Sequence, residues 1–367
     1  MMYLSPHQLT ILTTSQCTAA CGHCSMNSGP ERRDRLNFAT IRKAIDGLRA
    51  VGKLHTVIFA GGEPTLMGNT LLDALAYVDS LGLNSRIVTN VSWAISEVKT
   101  KSKLEELRSA GLRELNISAD DHHLPWIPFD NVLRCWHAAK GMGFDAVVIA
   151  NCYGPRSLIT PDWIEAKLGE TLSRRFDGDG AEGALPKPAT DGTVYALSNS
   201  FMQRLGRAHT ETPDQDFYFP DDLSELSGGC PWALRSPALS PLGHLVACCG
   251  MEAEHNPILD FGDTQEEPVA AIAERADDSV LLNAVALLGP DFLKSFVQKH
   301  DPSISFRKRY ASVCEICEDV VSRAGVRDVL ARHKAELAMH VIAARARADD
   351  TTYPTGSPEA ALGAELP

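Results

Sequence analysis

The stretch QLTILTTSQCTAACGHC, residues 8–24, decides the fold and places the chemistry. Its first half, Gln8–Thr14, is rich in apolar and β-branched residues, as expected of a buried strand. Its second half carries Cys17, Cys21 and Cys24 directly after that strand. Parallel sheets bind their ligands at the carboxyl ends of the strands. The sequence therefore predicts three thiolates on one tight loop at the catalytic edge of a parallel sheet.

Three thiolates suit a four-iron cluster better than a structural zinc ion. Iron–sulfur clusters are held by cysteine thiolates, and three ligands leave one iron of a [4Fe–4S] cluster open. A structural zinc site normally has four closed ligands. The spacing CX3CX2C resembles the signature of the radical S-adenosylmethionine (SAM) superfamily. The resemblance implies that the open iron chelates the amino and carboxylate groups of SAM, with His23 near the adenine.

The chain up to about residue 200 alternates short strands with amphipathic helices, which is typical of a parallel sheet wrapped by helices. One such helix begins after Asn37 and ends at Gly52, and another covers Lys103–Ala110. The pattern indicates a βα barrel or an open sheet, and the resemblance implies a partial (β/α)6 TIM barrel in the α/β class. The expected strands are Gln8–Thr14, His55–Ala60, Ser85–Thr89, Glu114–Ser118, Asp145–Ala150 and a weaker one near Thr193–Leu197.

A second motif, Gly61-Gly62-Glu63-Pro64, follows the second expected strand. Two glycines let the backbone approach a ligand's ammonium group, and a nearby carboxylate can accept a hydrogen bond from it. Alone, this motif could be an ordinary turn at the end of a strand. A GGEP motif in this place also matches the superfamily. The resemblance implies further SAM contacts from residues that end the third and fourth strands, namely Thr89, Asn90 and Ser118.

Five more cysteines follow the expected barrel, at positions 230, 248, 249, 314 and 317. Their order, C…GX4C…CX2C, resembles the twitch or SPASM extension of radical SAM enzymes. The resemblance implies an auxiliary [4Fe–4S] cluster on Cys230, Cys248, Cys314 and Cys317. Zinc or unligated thiols are the alternatives. The GX4C spacing favours Cys248 over Cys249 as the ligand.

Cys249 is then left without a place in the cluster. Because it adjoins an expected ligand, we expect it near the mouth of the barrel. A thiol S–H bond is weaker than most C–H bonds, so a carbon radical would take its hydrogen readily, and return from the opposite face would invert the carbon. The alternative is a small buried hydrophobe, which is our expectation for Cys135 and Cys152.

The charge balance bears on the partners of this protein. The chain has 47 acidic and 35 basic side chains, a formal net charge of −12, which argues against nucleic acid and suits a cationic substrate. Acidity could also serve solubility alone. The chain is similar to aminoglycoside epimerases of the neomycin C type. The similarity implies inversion of a C–H stereocentre on an aminosugar ring, with hydrogen abstraction by the 5′-deoxyadenosyl radical and return from Cys249. An external one-electron reductant of the flavodoxin or ferredoxin type is implied as well.

Candidate ligands for substrate amines and hydroxyls follow the fourth strand and the Cys248-Cys249 pair. They are Asp120, Asp121, His122, His123 and Glu252. For each of them a solvated loop residue is the alternative. Neighbouring histidines point apart and no third ligand stands out, so we do not expect a metal ion at His122 and His123.

Two other enzyme classes remain open. The first is a radical peptide-modifying enzyme (RiPP maturase), and the second is a radical dehydrogenase or dehydratase that passes the substrate electron to the auxiliary cluster. The expected first strand begins by about residue 8, which leaves no room before it for a leader-peptide-binding domain and favours a small substrate. In a dehydrogenase, Cys249 would be dispensable.

We expect three parts along the chain: a barrel over residues 1–215, an auxiliary-cluster domain over 216–325, and a C-terminal helix with a disordered tail over 326–367. The Gly/Pro/Asp-rich loop 177–192 precedes the first boundary. There is no apolar stretch of membrane-spanning length and no signal peptide at the start, so we expect a cytoplasmic protein. Ten cysteines in such a protein indicate metal binding rather than disulfides.

Overall fold

A computed structural model describes residues 6–175, 187–250 and 253–350 of the chain, with side chains to residue 347. The strands are β1 (Gln8–Leu12), β2 (Thr56–Ala60), β3 (Asn84–Thr89), β4 (Glu114–Ser118), β5 (Ala146–Tyr153), β6 (Ser173–Arg175), β7 (Val194–Phe201), β8 (Ala238–Leu239), β9 (His244–Val246) and β10 (Asp260–Asp263). They form one sheet in the order β10-β9-β8-β1-β2-β3-β4-β5-β7-β6.

The helices are α1 (Phe38–Val51), α2 (Asn69–Ser80), α3 (Glu97–Ser109), α4 (Phe129–Ala139), α5 (Pro161–Leu168), α6 (Ala208–Glu211), α7 (Val269–Asp278), α8 (Val280–Leu287), α9 (Pro290–His300), α10 (Val313–Val321), α11 (Ala324–Arg332) and α12 (Lys334–Asp350). Helices α1 to α5 each return the chain to the next strand of the parallel part of the sheet.

Six parallel strands, β1 to β5 and β7, form the partial (β/α)6 barrel that the sequence predicts. All six expected strands are present, with ends that shift by four residues at most. The short edge strand β6, which pairs with β7, is absent from the sequence prediction. Strands β1, β2 and β5 are buried on both faces, which is why they consist of nearly unbroken apolar runs.

Helix α1 shows how the local sequence sets the element boundaries. The Asn37 side chain accepts a hydrogen bond from the Thr40 backbone amide, and the Gly52 amide donates to the Leu48 carbonyl at the other end. Between these caps, one stripe of the helix is buried: Thr40, Ile41, Ala44, Ile45 and Leu48. Both predicted ends of this helix are confirmed, because capping and periodicity are local properties.

The region after residue 216, where we expect the auxiliary-cluster domain, contains more helix than strand. It contains β8 to β10 and the four helices α7 to α10 before residue 325. Strand β8 pairs in parallel with β1, so one sheet continues across the expected boundary near residue 215. The division of the chain into domains stays a prediction.

The C-terminal helix expected from about residue 324 to 348 is two helices, α11 and α12. His333 lies between them with non-helical backbone angles (φ −105°, ψ 21°). The expected disordered tail lies outside the described residues. Within the described ranges, no single helix is long and apolar enough to cross a membrane, whereas α8 and α9 together meet the length and composition but bend by 119°.

The contact of α1 with α7 gives a test of the packing. A Cβ atom added at Gly47 would lie 2.3 Å from the Val269 Cβ, so Gly47→Ala should lower the free energy of unfolding by about 1–3 kcal/mol despite the higher helix propensity of alanine. Gly325 in α11 has open space around its Cβ position, and Gly325→Ala should stabilise the protein by up to about 1 kcal/mol. Thermal unfolding of both variants measures this contrast, and an unchanged or higher Tm for Gly47→Ala would contradict the packing.

Candidate functional site

The loop with Cys17, Cys21 and Cys24 follows β1 at the carboxyl edge of the sheet, and all three thiols line one cavity. Two donors point at the sulfurs: the Ser28 amide lies 3.3 Å from the Cys24 Sγ, and the Asn90 Nδ2 lies 3.5 Å from the Cys17 Sγ. Burial raises the pKa of the Cys17 thiol to about 12. Bound iron would supply the positive charge that stabilises these buried groups as thiolates, so the loop fits a [4Fe–4S] cluster.

Gly61 and Gly62 hold this loop through close backbone contact. The Gly62 amide donates to the Thr14 carbonyl at 2.6 Å, and a Cβ on Gly62 would lie 2.0 Å from the Gln16 carbonyl oxygen. Gly61 has φ +116°, which strains any other residue. Both glycines also line the cavity, so the predicted approach of their backbone to a ligand is compatible with the structure.

Glu63 lies inside the protein and does not line the cavity. Its Oε1 accepts hydrogen bonds from the hydroxyls of Thr65 and Thr89, and its Oε2 accepts one from the backbone amide of Asn90 at 2.9 Å. Burial raises the pKa of this carboxyl group. This differs from our expectation that Glu63 accepts from the ligand's ammonium group. Glu63 instead ties the end of β2 to the end of β3. Pro64, the first residue of the 3₁₀ turn Pro64–Met67, is buried, and so is Thr89.

The residues after β4 form a compact group around Asp120. The Asp120 Oδ2 lies 2.8 Å from the His123 Nδ1 and 3.2 Å from the His23 Nε2. Burial opposes ionisation of Asp120, but the two histidines hold its pKa well below the usual range. Burial likewise opposes the charge on His123, whereas Asp120 raises the pKa of His123 well above its usual value. The negative charge of Asp120 and the positive charge of His123 therefore compensate each other.

The same group bears on the absence of a metal ion that we expect at His122 and His123. The sequence shows no third ligand beside these two histidines, whereas in the structure His23 reaches Asp120 from the cysteine loop. The ligand atoms of His23, Asp120 and His123 all lie within 4.8 Å of one another. His122 instead stacks on His23, with ring centroids 4.7 Å apart.

Only some of the expected ligand and substrate contacts line the cavity. Those that do are His23, Gly61, Gly62, Asn90, Ser118 and His123. Asp121 accepts hydrogen bonds from the Leu158 and Ile159 amides at 3.2 Å and thereby caps a neighbouring loop. Glu252 lies outside the described residues.

The second set of cysteines comes together from three segments. Helix α10 carries Cys314 and Cys317 three residues apart on one face, Cys248 follows β9, and the Cys230 amide donates to the Val285 carbonyl at the end of α8. Burial, and then repulsion from the neighbouring thiolates, raises the pKa values of Cys248 and Cys317. All four cysteines line one cavity, as ligands of a single metal centre would.

Both cysteine sets line the same cavity, which has a volume of about 580 Å³. Cys249 is exposed and lines it next to Cys248. Cys135 is fully buried in the core, which confirms its expected role as a small hydrophobe. Cys152 differs from that expectation, because it is only partly buried and also lines the cavity.

Two functional residues escaped the sequence analysis. Arg207 donates to the Cys21 carbonyl at 2.7 Å and to the Ser28 carbonyl at 2.5 Å, so it braces the cysteine loop from the segment after β7. No sequence motif marks it. Glu318 lines the cavity beside Cys317, and its position next to the CX2C pair was the available signal.

Comparison with known proteins agrees with this geometry. Residues 11–157 match the sequence profile described as "Radical SAM superfamily". Over 124 residues the chain is 23% identical to YydG of Bacillus subtilis (strain 168), named as a peptide biosynthesis protein, with 34% of this chain and 39% of that protein covered. A GTP 3',8-cyclase of Synechococcus elongatus is 32% identical over 116 residues, 30% of this chain and 33% of that protein. The chain thus spans little more than a third of the length of these curated relatives.

The solved structures resemble the chain over a longer span. The structure of native anSMEcpe with bound AdoMet is 12% identical, covers 92% of this chain and 99% of that chain, and has a TM-score of 0.51. At this identity the likeness concerns the fold alone.

The sheet and its helices define an α/β protein with a partial parallel barrel and a three-cysteine loop at the carboxyl end of its first strand. The part of the chain that matches the radical SAM superfamily profile runs from the end of β1 to just beyond β5.

The bracing of the loop by Arg207 can be tested on the reconstituted protein. Arg207→Met keeps most of the side-chain volume but removes the donors to the loop carbonyls, so iron should be lost several-fold faster to a ferrous chelator under anaerobic conditions. Arg42→Met, at an exposed position of α1, is the matched control and should release iron at the native rate. Equal rates for both variants would refute the bracing role.

Proposed function

We propose that this protein is a radical SAM epimerase that inverts a C–H stereocentre on an aminosugar ring of an aminoglycoside, in the manner of neomycin C to neomycin B. One observation carries the proposal: exposed Cys249 lines the same cavity as Cys17, Cys21 and Cys24. A radical generated at the cysteine loop and a thiol able to quench it would share one space.

The cofactor assignment uses the residues at the carboxyl edge of the sheet. Cys17, Cys21 and Cys24 would hold a [4Fe–4S] cluster, which supplies the electron that splits SAM. SAM would be bound next to it by cavity residues from four segments: His23, Gly61, Gly62, Asn90 and Ser118. Buried Glu63 holds Asn90 in place by accepting a hydrogen bond from its backbone amide, while the Asn90 side-chain Nδ2 donates to the Cys17 sulfur.

Cys249 would return a hydrogen atom to the substrate carbon from the face opposite the abstraction. This leaves a sulfur radical that needs one electron and one proton to restore the thiol. A second cluster on Cys230, Cys248, Cys314 and Cys317 would pass that electron to Cys249, which is adjacent to Cys248 in the chain. A flavodoxin or ferredoxin type of protein would supply the electrons from outside.

The size and charge of the site support a small cationic substrate. A cavity of about 580 Å³ lies within the range of roughly 300–1,000 Å³ typical of small-molecule sites. The net charge of −12 favours approach of a polyamine sugar.

Peptide modification is the second candidate function. It is favoured by the similarity to YydG, which is named for peptide biosynthesis, although that similarity covers 34% of this chain. Hydrogen return from Cys249 would serve a peptide stereocentre equally well, so the substrate class separates the two candidates.

The hydrogen donor is tested by an anaerobic reaction of neomycin C in deuterium oxide, with mass spectrometry and NMR of the product. The native protein should place one deuterium at the inverted carbon, because the Cys249 thiol exchanges with solvent. Cys249→Ala should still form 5′-deoxyadenosine but yield no epimer.

Two further variants make this test specific. Cys135→Ala, in the core, should leave the product unchanged. Cys152→Ala, at the cavity wall, should also deliver the deuterated epimer. Loss of the epimer with Cys152→Ala but not with Cys249→Ala would identify Cys152 as the hydrogen donor and contradict that role for Cys249.

The second cluster predicts a change in iron content. Cys314→Ala should remove the iron and sulfide of one [4Fe–4S] cluster from the reconstituted protein, and it should leave SAM cleavage with dithionite intact. Cys135→Ala is the control with full iron content. An unchanged iron content in Cys314→Ala would exclude this cysteine as a cluster ligand.

A further inference from the structure

The charged groups around the cavity are few. Among the described residues that line it, no lysine or arginine is present, and Glu318 is the one carboxylate. The histidines at the wall are His23 and His123, both of which contact Asp120 behind them. Glu318 is therefore the one described carboxylate in the cavity that Cys249 also lines.

Glu318 is held in a defined place. It follows Cys317 on α10, four residues after Cys314, so it lies on the face of the helix that carries the second cysteine set. Its side chain is 18% exposed, and the His209 Nε2 on α6 pairs with its Oε2. His209 thus acts as a positioning residue for a partly buried carboxylate.

Of the acidic residues favoured by the sequence, the two that the structure describes are engaged by other groups. Asp120 is paired with His23 and His123, Asp121 caps the amides of Leu158 and Ile159, and both lie outside the cavity wall. Among the described lining residues, Glu318 is the one whose charge complements a cationic ligand.

We infer that Glu318 binds an ammonium group of the substrate and so holds the reacting ring beside Cys249. The inference rests on the proposed function and names the recognition residue of that same site. SAM is an unsuitable occupant of this position, because its ammonium group would bind at the Cys17, Cys21 and Cys24 loop, whereas Glu318 adjoins the second cysteine set. A charge-assisted hydrogen bond in a partly buried site is worth about ten- to a hundredfold in affinity.

The test measures the coupling between Glu318 and one substrate amine. The reconstituted holoenzyme is assayed with neomycin C and with analogues in which one amine at a time is replaced by a hydroxyl. For the native protein, kcat/KM should fall about ten- to a hundredfold with the analogue that lacks the recognised amine. Glu318→Gln, which keeps the shape and a hydrogen bond to His209, should show that loss with neomycin C itself and no further loss with the same analogue.

Three controls accompany this comparison of the variant with the native protein. Glu225→Gln removes the same charge at an exposed position outside the cavity and should keep the native preference among the analogues. Glu318→Asp should retain part of the preference. Iron content and the KM for SAM should stay at native values in Glu318→Gln.

The possible failures are distinguishable. If Glu318→Gln and the native protein lose the same factor with every analogue, or if Glu318→Gln raises the KM for SAM instead, Glu318 is not the substrate's ammonium site, while the epimerase proposal stands. If Glu318→Gln loses iron, the same comparison is made between Glu318→Asp and the native protein. An unchanged preference of Glu318→Asp among the analogues then overturns the inference. If the native protein turns over no aminoglycoside, the proposed function falls and the inference falls with it.

Discussion

The contact between the cysteine loop and the glycine pair after β2 is the constraint on which the site depends. Gly62 approaches the backbone of residues 14–16 so closely that no side chain fits between them. This contact fixes the loop against the neighbouring strand of a rigid parallel sheet. Glu63 extends the same arrangement to β3, because its buried carboxylate accepts hydrogen bonds from Thr89 and Asn90. Three successive strand ends are thereby fixed relative to one another.

The C-terminal part of the chain completes the cavity from the opposite side. Strand β8 adds to β1 in parallel, and the segment after β9, which is antiparallel to β8, brings Cys248 and Cys249 to the cavity wall. Helix α10 supplies Cys314, Cys317 and Glu318 from one face. Arg207 ties the segment after β7 to the first cysteine loop, because it donates to two carbonyls of that loop.

Residues that follow local rules were predicted well. The strand β4 has the expected bounds, and the caps of α1 at Asn37 and Gly52 are those that the sequence indicates. The edge strand β6 was missed because a three-residue strand has almost no pattern of its own. Helices α7 to α10 were missed as well. The break at His333 was missed for a similar reason, since helical residues continue on both sides of it.

The sequence by itself determined the parallel-strand pattern, the CX3CX2C loop after the first strand and the second group of cysteines, because spacing and periodicity are properties of neighbouring residues. Only the tertiary structure decided which polar side chains face the cavity. Glu63 and Asp121 look like ligand-binding residues in the sequence, but their carboxylates accept hydrogen bonds from backbone amides and hydroxyls of other segments. Glu318 lies at the wall because α10 packs there and His209 pairs with it. The direction of a side chain depends on partners that are distant in the chain, and the sequence of one segment carries no record of them.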